Sequence, residues 1–233
     1  MGGFQDFRRR KIHYNKSIFS HPILAIRDTY VACNRCPYSP HSHISSLLSS
    51  GPSGSADLYI GSPTDFSGQD NAIYRLPLPS SVVPASSSFI SASPQHIKGR
   101  LRTMQYNAKW LNVPEFVGSV EADHFVYFFF REAAVEFSNC GKAVYSRVAR
   151  VCKNDLGGGQ LMLKDTWTTF LKARLNCSLP AEYPFYYDHI QSVTYLEEER
   201  LFYATFTTAE YVDTRFFHEL KWVFNFKFPA LWY

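Results

Sequence analysis

The chain has 233 residues, 45% hydrophobic and 19% charged, enough for one sizeable core or a piece of a larger one. Its formal charge of +4, from 24 basic and 20 acidic side chains, lacks the strong clustering of a nucleic-acid binder. The 17% aromatic content, with 20 Phe and 15 Tyr beside Val, Thr and Ile, favours strands, because such side chains pack well on a half-buried pleated surface.

Residues 1–22 are polar and mixed, and the basic run Arg8-Arg9-Arg10-Lys11 reads as a solvated terminus. Ile23 to Tyr30 is a strand candidate, and the Ser/Pro/His-rich stretch from Tyr38 to Ser55 reads as loop. Ala56 to Gly61 and Ala72 to Leu76 are short strands about a turn through Asp65 to Asp70. The Ser/Pro-rich segment 77–94 has little core potential and is expected to be a mobile surface loop.

The second half carries a stronger pattern. His124 to Phe130 is a short, continuous aromatic run that suits a strand buried on both faces. Lys142 to Lys153 alternates around Val144, Val148 and Val151, and Gly157-Gly158-Gly159 marks a tight turn. From Trp167 the period is two, with Trp167, Thr169, Leu171, Ala173 and Leu175 on one face. Ser192–Leu196 and Leu201–Thr208 flank Glu197 to Arg200 as strand, turn and strand. Many short strands and no long helix predict an all-β fold, with sandwich, barrel and propeller open on pattern alone.

Catalytic and metal chemistry finds no constellation. Asp65 and Asp70 flank a Gly turn and read as turn formers rather than an acid/base pair. Cys33 and Cys36 form a lone C-x-x-C without two further ligands nearby, and the residues after Cys36 are Pro- and Ser-rich rather than helical. Lys153-Asn154-Asp155 lacks the alternating oxygens of a calcium loop. No metal, cofactor, small-molecule substrate or nucleic acid is expected, and no enzyme. Asn15-Lys-Ser17 and Asn176-Cys-Ser178 fit the N-glycosylation pattern. The five cysteines, Cys33, Cys36, Cys140, Cys152 and Cys177, leave at least one unpaired within the chain. The first 20 residues show no secretory signal, and no segment reads as a transmembrane helix.

Several ordered runs carry a family resemblance. They are Leu101-Arg-Thr-Met-Gln-Tyr-Asn-Ala-Lys-Trp-Leu-Asn112, Pro114 to Gly118, Val126 to Glu132, Val144 to Asp155 and Trp167 to Cys177. Ahead of them Cys36-Pro-Tyr, Leu58 to Gly61 and Asp65 to Arg75 match in the same order. The chain resembles a semaphorin over residues 31 to 208. Asp165 to Phe170 and Pro184 to Tyr187 are similar to the class-five members, whereas Glu136 to Arg147 is similar to invertebrate secreted or class-one types.

The resemblance implies an extracellular guidance cue, secreted or membrane-anchored, that binds a plexin receptor to direct axon guidance and cell migration. It also implies a seven-bladed β-propeller, the sema domain. At ~40–60 residues per blade, about three blades are present, the second to fourth. The expected partition is a poorly ordered 1–22, a partial sema domain over 23–208 and a tail outside the family pattern over 209–233. Such a piece would be a truncated or mis-spliced product or a gene-model artefact, and a truncated non-signalling decoy or a non-folding gene-model fragment with no independent function is the competing expectation. By matching motif, Tyr106, Asn107 and Lys109 fall in the receptor-facing stretch, and Phe137, Ser138 and Asn139 near the surface of the parent's homodimer. Asn176 is the expected glycosylation site. The resemblance places Cys36 and Cys140 close in space and leaves Cys152 and Cys177 without their distant disulfide partners.

Overall fold

Val126, Tyr127, Phe128, Phe129 and Phe130 are consecutive and all buried, which a strand achieves only with a packed layer on each face. The computed structural model shows those layers over the residues it describes, 39–50, 56–78, 100–137, 143–159, 161–208 and 222–226. Three antiparallel sheets succeed one another along the chain. The first comprises β1 (Ser45–Ser50), β2 (Ala56–Pro63), β3 (Asn71–Pro77) and β4 (Leu101–Arg102). The second comprises β5 (Glu115–Ala122), β6 (Phe125–Ala133), β7 (Val144–Cys152) and β8 (Leu171–Arg174). A small hairpin of β9 (Ser178–Leu179) and β10 (Phe185–Tyr186) precedes the third sheet, β11 (His189–Leu196), β12 (Leu201–Thr207) and β13 (Trp222–Phe226).

In these three sheets spatial order equals chain order, the meander of a propeller blade. The first strands touch across the sheets, β1 against β5 and β5 against β11, so each sheet turns its first strand inward. Two glycines permit the close approach of successive sheets, Gly61 on β2 and Gly118 on β5. A Cβ on Gly61 would lie 2.6 Å from the Phe116 ring, and one on Gly118 would lie 2.7 Å from Val193 Cγ1.

The two faces of the second sheet build two cores. Val126, Phe128 and Phe130 join Phe116, Ala149 and Val151 against Tyr59, Ile73 and Leu101 of the first sheet. Tyr127, Phe129 and Val148 meet Ile190, Phe202, Ala204 and Phe206 of the third. Ring contacts line both cores, Phe116 to Phe130 at 5.5 Å within the second sheet and Phe129 to Phe202 at 5.5 Å across to the third, between centroids.

The long connection from β7 to β8 straps the first two sheets together. Arg102 donates its N–H to the Asp165 carbonyl at 3.0 Å, and Trp167 donates to the Arg102 carbonyl at 3.1 Å. The fully buried Trp167 indole donates to the Ile73 carbonyl at 2.9 Å, stacks on Tyr59 and receives the Arg75 guanidinium 5.3 Å above its ring. The base of this strap is held by Asp155. Its carboxylate accepts from the Thr168 and Thr169 amides, both at 2.9 Å, and from the Gly157 amide at 2.8 Å. Both threonine hydroxyls donate to it as well. Burial raises the Asp155 pKa, but those bonds outweigh burial and leave it below the usual value.

Most expected strands form, with instructive differences. The loop expected over Tyr38–Ser55 contains β1, because Ser45–Ser50 pairs residue for residue with β2 and Leu47 packs on the first core. Pairing overrides the weak strand propensity of serine there. The alternation expected from Trp167 to Leu175 is a strand only over Leu171–Arg174. Trp167 leaves that sheet to enter the first core, and Leu171 is exposed. Part of the tail, Trp222–Phe226, pairs with β12 as β13. The strand expected at Ile23–Tyr30, segment 1–22 and most of the 77–94 loop lie outside the described residues.

Replacing Trp167→Phe removes a buried donor and part of the ring volume and weakens the cation–π contact with Arg75. The urea midpoint should report a loss of about 1–3 kcal/mol, and an unchanged midpoint would contradict the strap's role. Asp155 stabilises the fold above the unfolded carboxyl pKa of about 3.9 and stops doing so as pH falls through its lower folded pKa. Asp155→Asn should therefore unfold more easily at neutral pH, and its stability should fall less steeply than wild type under acid titration.

Candidate functional site

Antiparallel meanders send alternate connections to opposite ends of the sheets, so the β2–β3, β4–β5 and β6–β7 connections share one end. Hydrogen bonds tie the three together. Buried Asp70, in the β2–β3 turn, accepts from Arg102 at 2.7 Å and Gln105 at 3.0 Å, at the start of the β4–β5 loop. At that loop's far end, the Asn112 side chain donates to the Ala133 carbonyl at 2.9 Å, where β6 ends. The Asn112 amide also donates to Glu132 Oε2 at 3.0 Å. Glu132 is itself buried and ion-paired to Arg147 Nε at 2.6 Å and Lys172 Nζ at 2.5 Å.

Between those anchors the loop 103–114 is fixed from within. Asn107 accepts at its carbonyl from the Trp110 and Leu111 amides and at Oδ1 from the Lys109 amide at 3.0 Å. Its Nδ2 donates to Met104 Sδ at 3.1 Å. Leu111 enters the first core, and Trp110 stacks on Phe170 with centroids 4.8 Å apart. The loop shows to solvent Tyr106, 72% exposed, Lys109 and Val113, 60% exposed, together with Met104, Gln105 and Ala108. Tyr106 has φ +52° and Val113 φ +49°, left-handed values that cost about 1–3 kcal/mol in a non-glycine residue. Val113 is β-branched and precedes Pro114, and both features favour extended backbone.

The other site residues lie on separate elements. Phe137 closes a 3-10 turn over Val135–Phe137, while Ser138, Asn139 and Cys140 lie outside the described residues, as does Cys36. The neighbouring Glu136 is held by Arg147 at 2.6 Å, and that hydrogen bond lowers its pKa. Asn176 is exposed just before β9, with Ser178 opening that strand. Cys177 is a buried free thiol whose pKa burial pushes up to about 12, and Cys152 is a half-buried free thiol. Asp65 accepts the Asp70 amide at 3.0 Å and the Ser67 hydroxyl at 2.5 Å, and Asp70 is spent on Thr64, Arg102 and Gln105. Both carboxylates therefore shape the turn. Among the described residues no group of three or more His, Cys, Asp or Glu could hold a metal ion, and no helix is long and apolar enough to cross a membrane.

Sequence reasoning missed Val113 and Phe66, the latter 88% exposed in the turn held by Asp70. Neither carries a sequence signal: the left-handed backbone at Val113 comes from the anchors on each side of it. The opposite end of the sheets shows an apolar tip too, with Leu161 fully exposed and Met162 78% exposed.

No family model matches the chain. Curated relatives do. Semaphorin 5c of Drosophila melanogaster is 52% identical over 175 residues, covering 75% of this chain and 14% of the relative. Human semaphorin-5A is 49% identical over 183 residues, covering 78% and 15% respectively. The chain thus spans a minor part of these relatives' length. Among solved structures, Drosophila semaphorin 2a superposes with a TM-score of 0.66 at 42% identity, over 78% of this chain and 28% of that one. Semaphorin 1b, solved with Drosophila plexin A, gives a TM-score of 0.60 at 43% identity, over 78% of this chain and 30% of that one. The four-stranded meanders are blades of a partial sema propeller. Semaphorins are non-enzymatic signalling proteins, and this chain belongs to the semaphorin family as part of a sema domain.

Proposed function

We propose that this chain is a fragment of an extracellular guidance cue that binds a plexin receptor through the loop 103–114, in the service of axon guidance and cell migration. The observation that carries the reading is the rigid display of Tyr106 and Lys109 on a loop anchored at Asp70, Leu111 and Glu132. A preordered aromatic anchor loses little entropy on docking, and an adjacent cation selects an acidic partner surface. Asn107 serves by holding the loop, since its side chain is engaged within it. The solved pairing of semaphorin 1b with plexin A supports the choice of receptor. In the parent protein, the neighbourhood of Phe137, Ser138 and Asn139 would face a second semaphorin, and exposed Asn176 would carry an N-glycan. The competing reading is a decoy that occupies the receptor without signalling.

The test is binding of the secreted chain to plexin ectodomains. Tyr106→Ala should weaken binding about tenfold or more, and Lys109→Glu should weaken it most at low salt. Leu161→Ser, at the opposite end, should change nothing. A folded chain that ignores every plexin, or one hurt only by Leu161→Ser, would contradict the proposal. Receptor binding without growth-cone collapse or turning would select the decoy.

A further inference from the structure

His189 opens β11 at the seam between the second and third sheets. Its main chain pairs with Thr207 of β12, and Ser146 of β7 pins both neighbours. The Ser146 hydroxyl donates to the Asp188 carbonyl at 2.6 Å and accepts the Ile190 amide at 2.8 Å. The imidazole is thereby held against the end of the second sheet, with Nδ1 buried and without a hydrogen-bond partner. The charge of Arg131 on β6 acts on it, and Arg131 Nε is likewise buried and without a hydrogen-bond partner.

The charged groups that act on the ring are Arg131 from β6, Glu115 from β5 and Asp188 from its own segment. Both carboxylates are already paired, Glu115 to Arg131 at 2.8 Å and Asp188 to Arg174 of β8 at 3.1 Å. Across β12 the partner is Thr207, which does not titrate. A neutral ring fits this site. An imidazolium would carry a buried Nδ1–H with no acceptor and a positive charge beside Arg131.

We propose that the seam between the second and third sheets is an acid-sensitive joint, in which protonation of His189 loosens the third sheet from the second. Burial, and then the Arg131 charge, hold the imidazole pKa below its ordinary 6.5 in the folded chain. The opened state takes up a proton first, so this stabilisation is full above about pH 6.5 and drains away as pH falls below it. The histidine itself sets the window.

Hydrogen exchange of the full chain tests the joint, compared at about pH 7.5 and about pH 5.5 after correction for intrinsic exchange rates. Amides of 189–207 should lose protection several-fold relative to 126–130 in the wild type. In His189→Gln, which cannot gain the charge, the loss should vanish. An equal loss in both proteins, or none in the wild type, would overturn the proposal. Should His189→Gln fail to fold, an NMR titration of the wild-type imidazole decides: a pKa below 6.5 supports the joint, and one at or above 6.5 refutes it.

Discussion

Tyr127 and Phe129 leave β6 on one side, and Val126, Phe128 and Phe130 leave it on the other. Among the described strands none carries so long a buried apolar run, and neither set of rings can be buried unless a sheet stands on each side. Each such side chain is worth about 1.5–3 kcal/mol when buried, and removing either neighbour would return a row of them to water. The first sheet answers with Tyr59, Ile73 and Leu101, and the third with Ile190, Phe202 and Phe206. Gly61 of β2 and Gly118 of β5 let successive sheets come close enough for that contact. Trp167 then closes the first seam with a directional bond, while Ser146 does so at the second.

The same packing orders the exposed loop. Leu111 and Trp110 commit the middle of 103–114 to the interior, and the Asp70 and Glu132 hydrogen bonds fix its two ends. The backbone between has little freedom left, and it takes up left-handed conformations at Tyr106 and Val113. Strain of that kind persists only where the surroundings over-determine it. Under the proposed function, that loop would present an aromatic group and a lysine to a receptor on a backbone ordered by the blade-to-blade core.

Much of this was legible in the sequence where local chemistry and final environment agree. The run from Phe125 to Phe130 names a doubly covered strand, and Asp65 to Asp70 names a turn. The ordered motifs around Leu101 and Trp167 carried the family. Other features were set by partners distant in the chain. Ser45–Ser50 is a strand because β2 lies beside it, and Glu115–Ala122, with a glycine in its middle, signals a strand only weakly. Trp167 sat on an apparent alternating face, yet its hydrogen bond lies 94 residues away. At the candidate site, the sequence offered Tyr106, Asn107 and Lys109 as one group. The geometry separates them, two side chains turned outward and one turned to the loop itself.

The most direct measurement is a hydrogen-exchange footprint of the folded chain with and without a plexin ectodomain. Our account predicts new protection within 103–113, with the loop at 156–166 unaffected. Protection confined to 156–166, or none anywhere under saturating receptor, would contradict it.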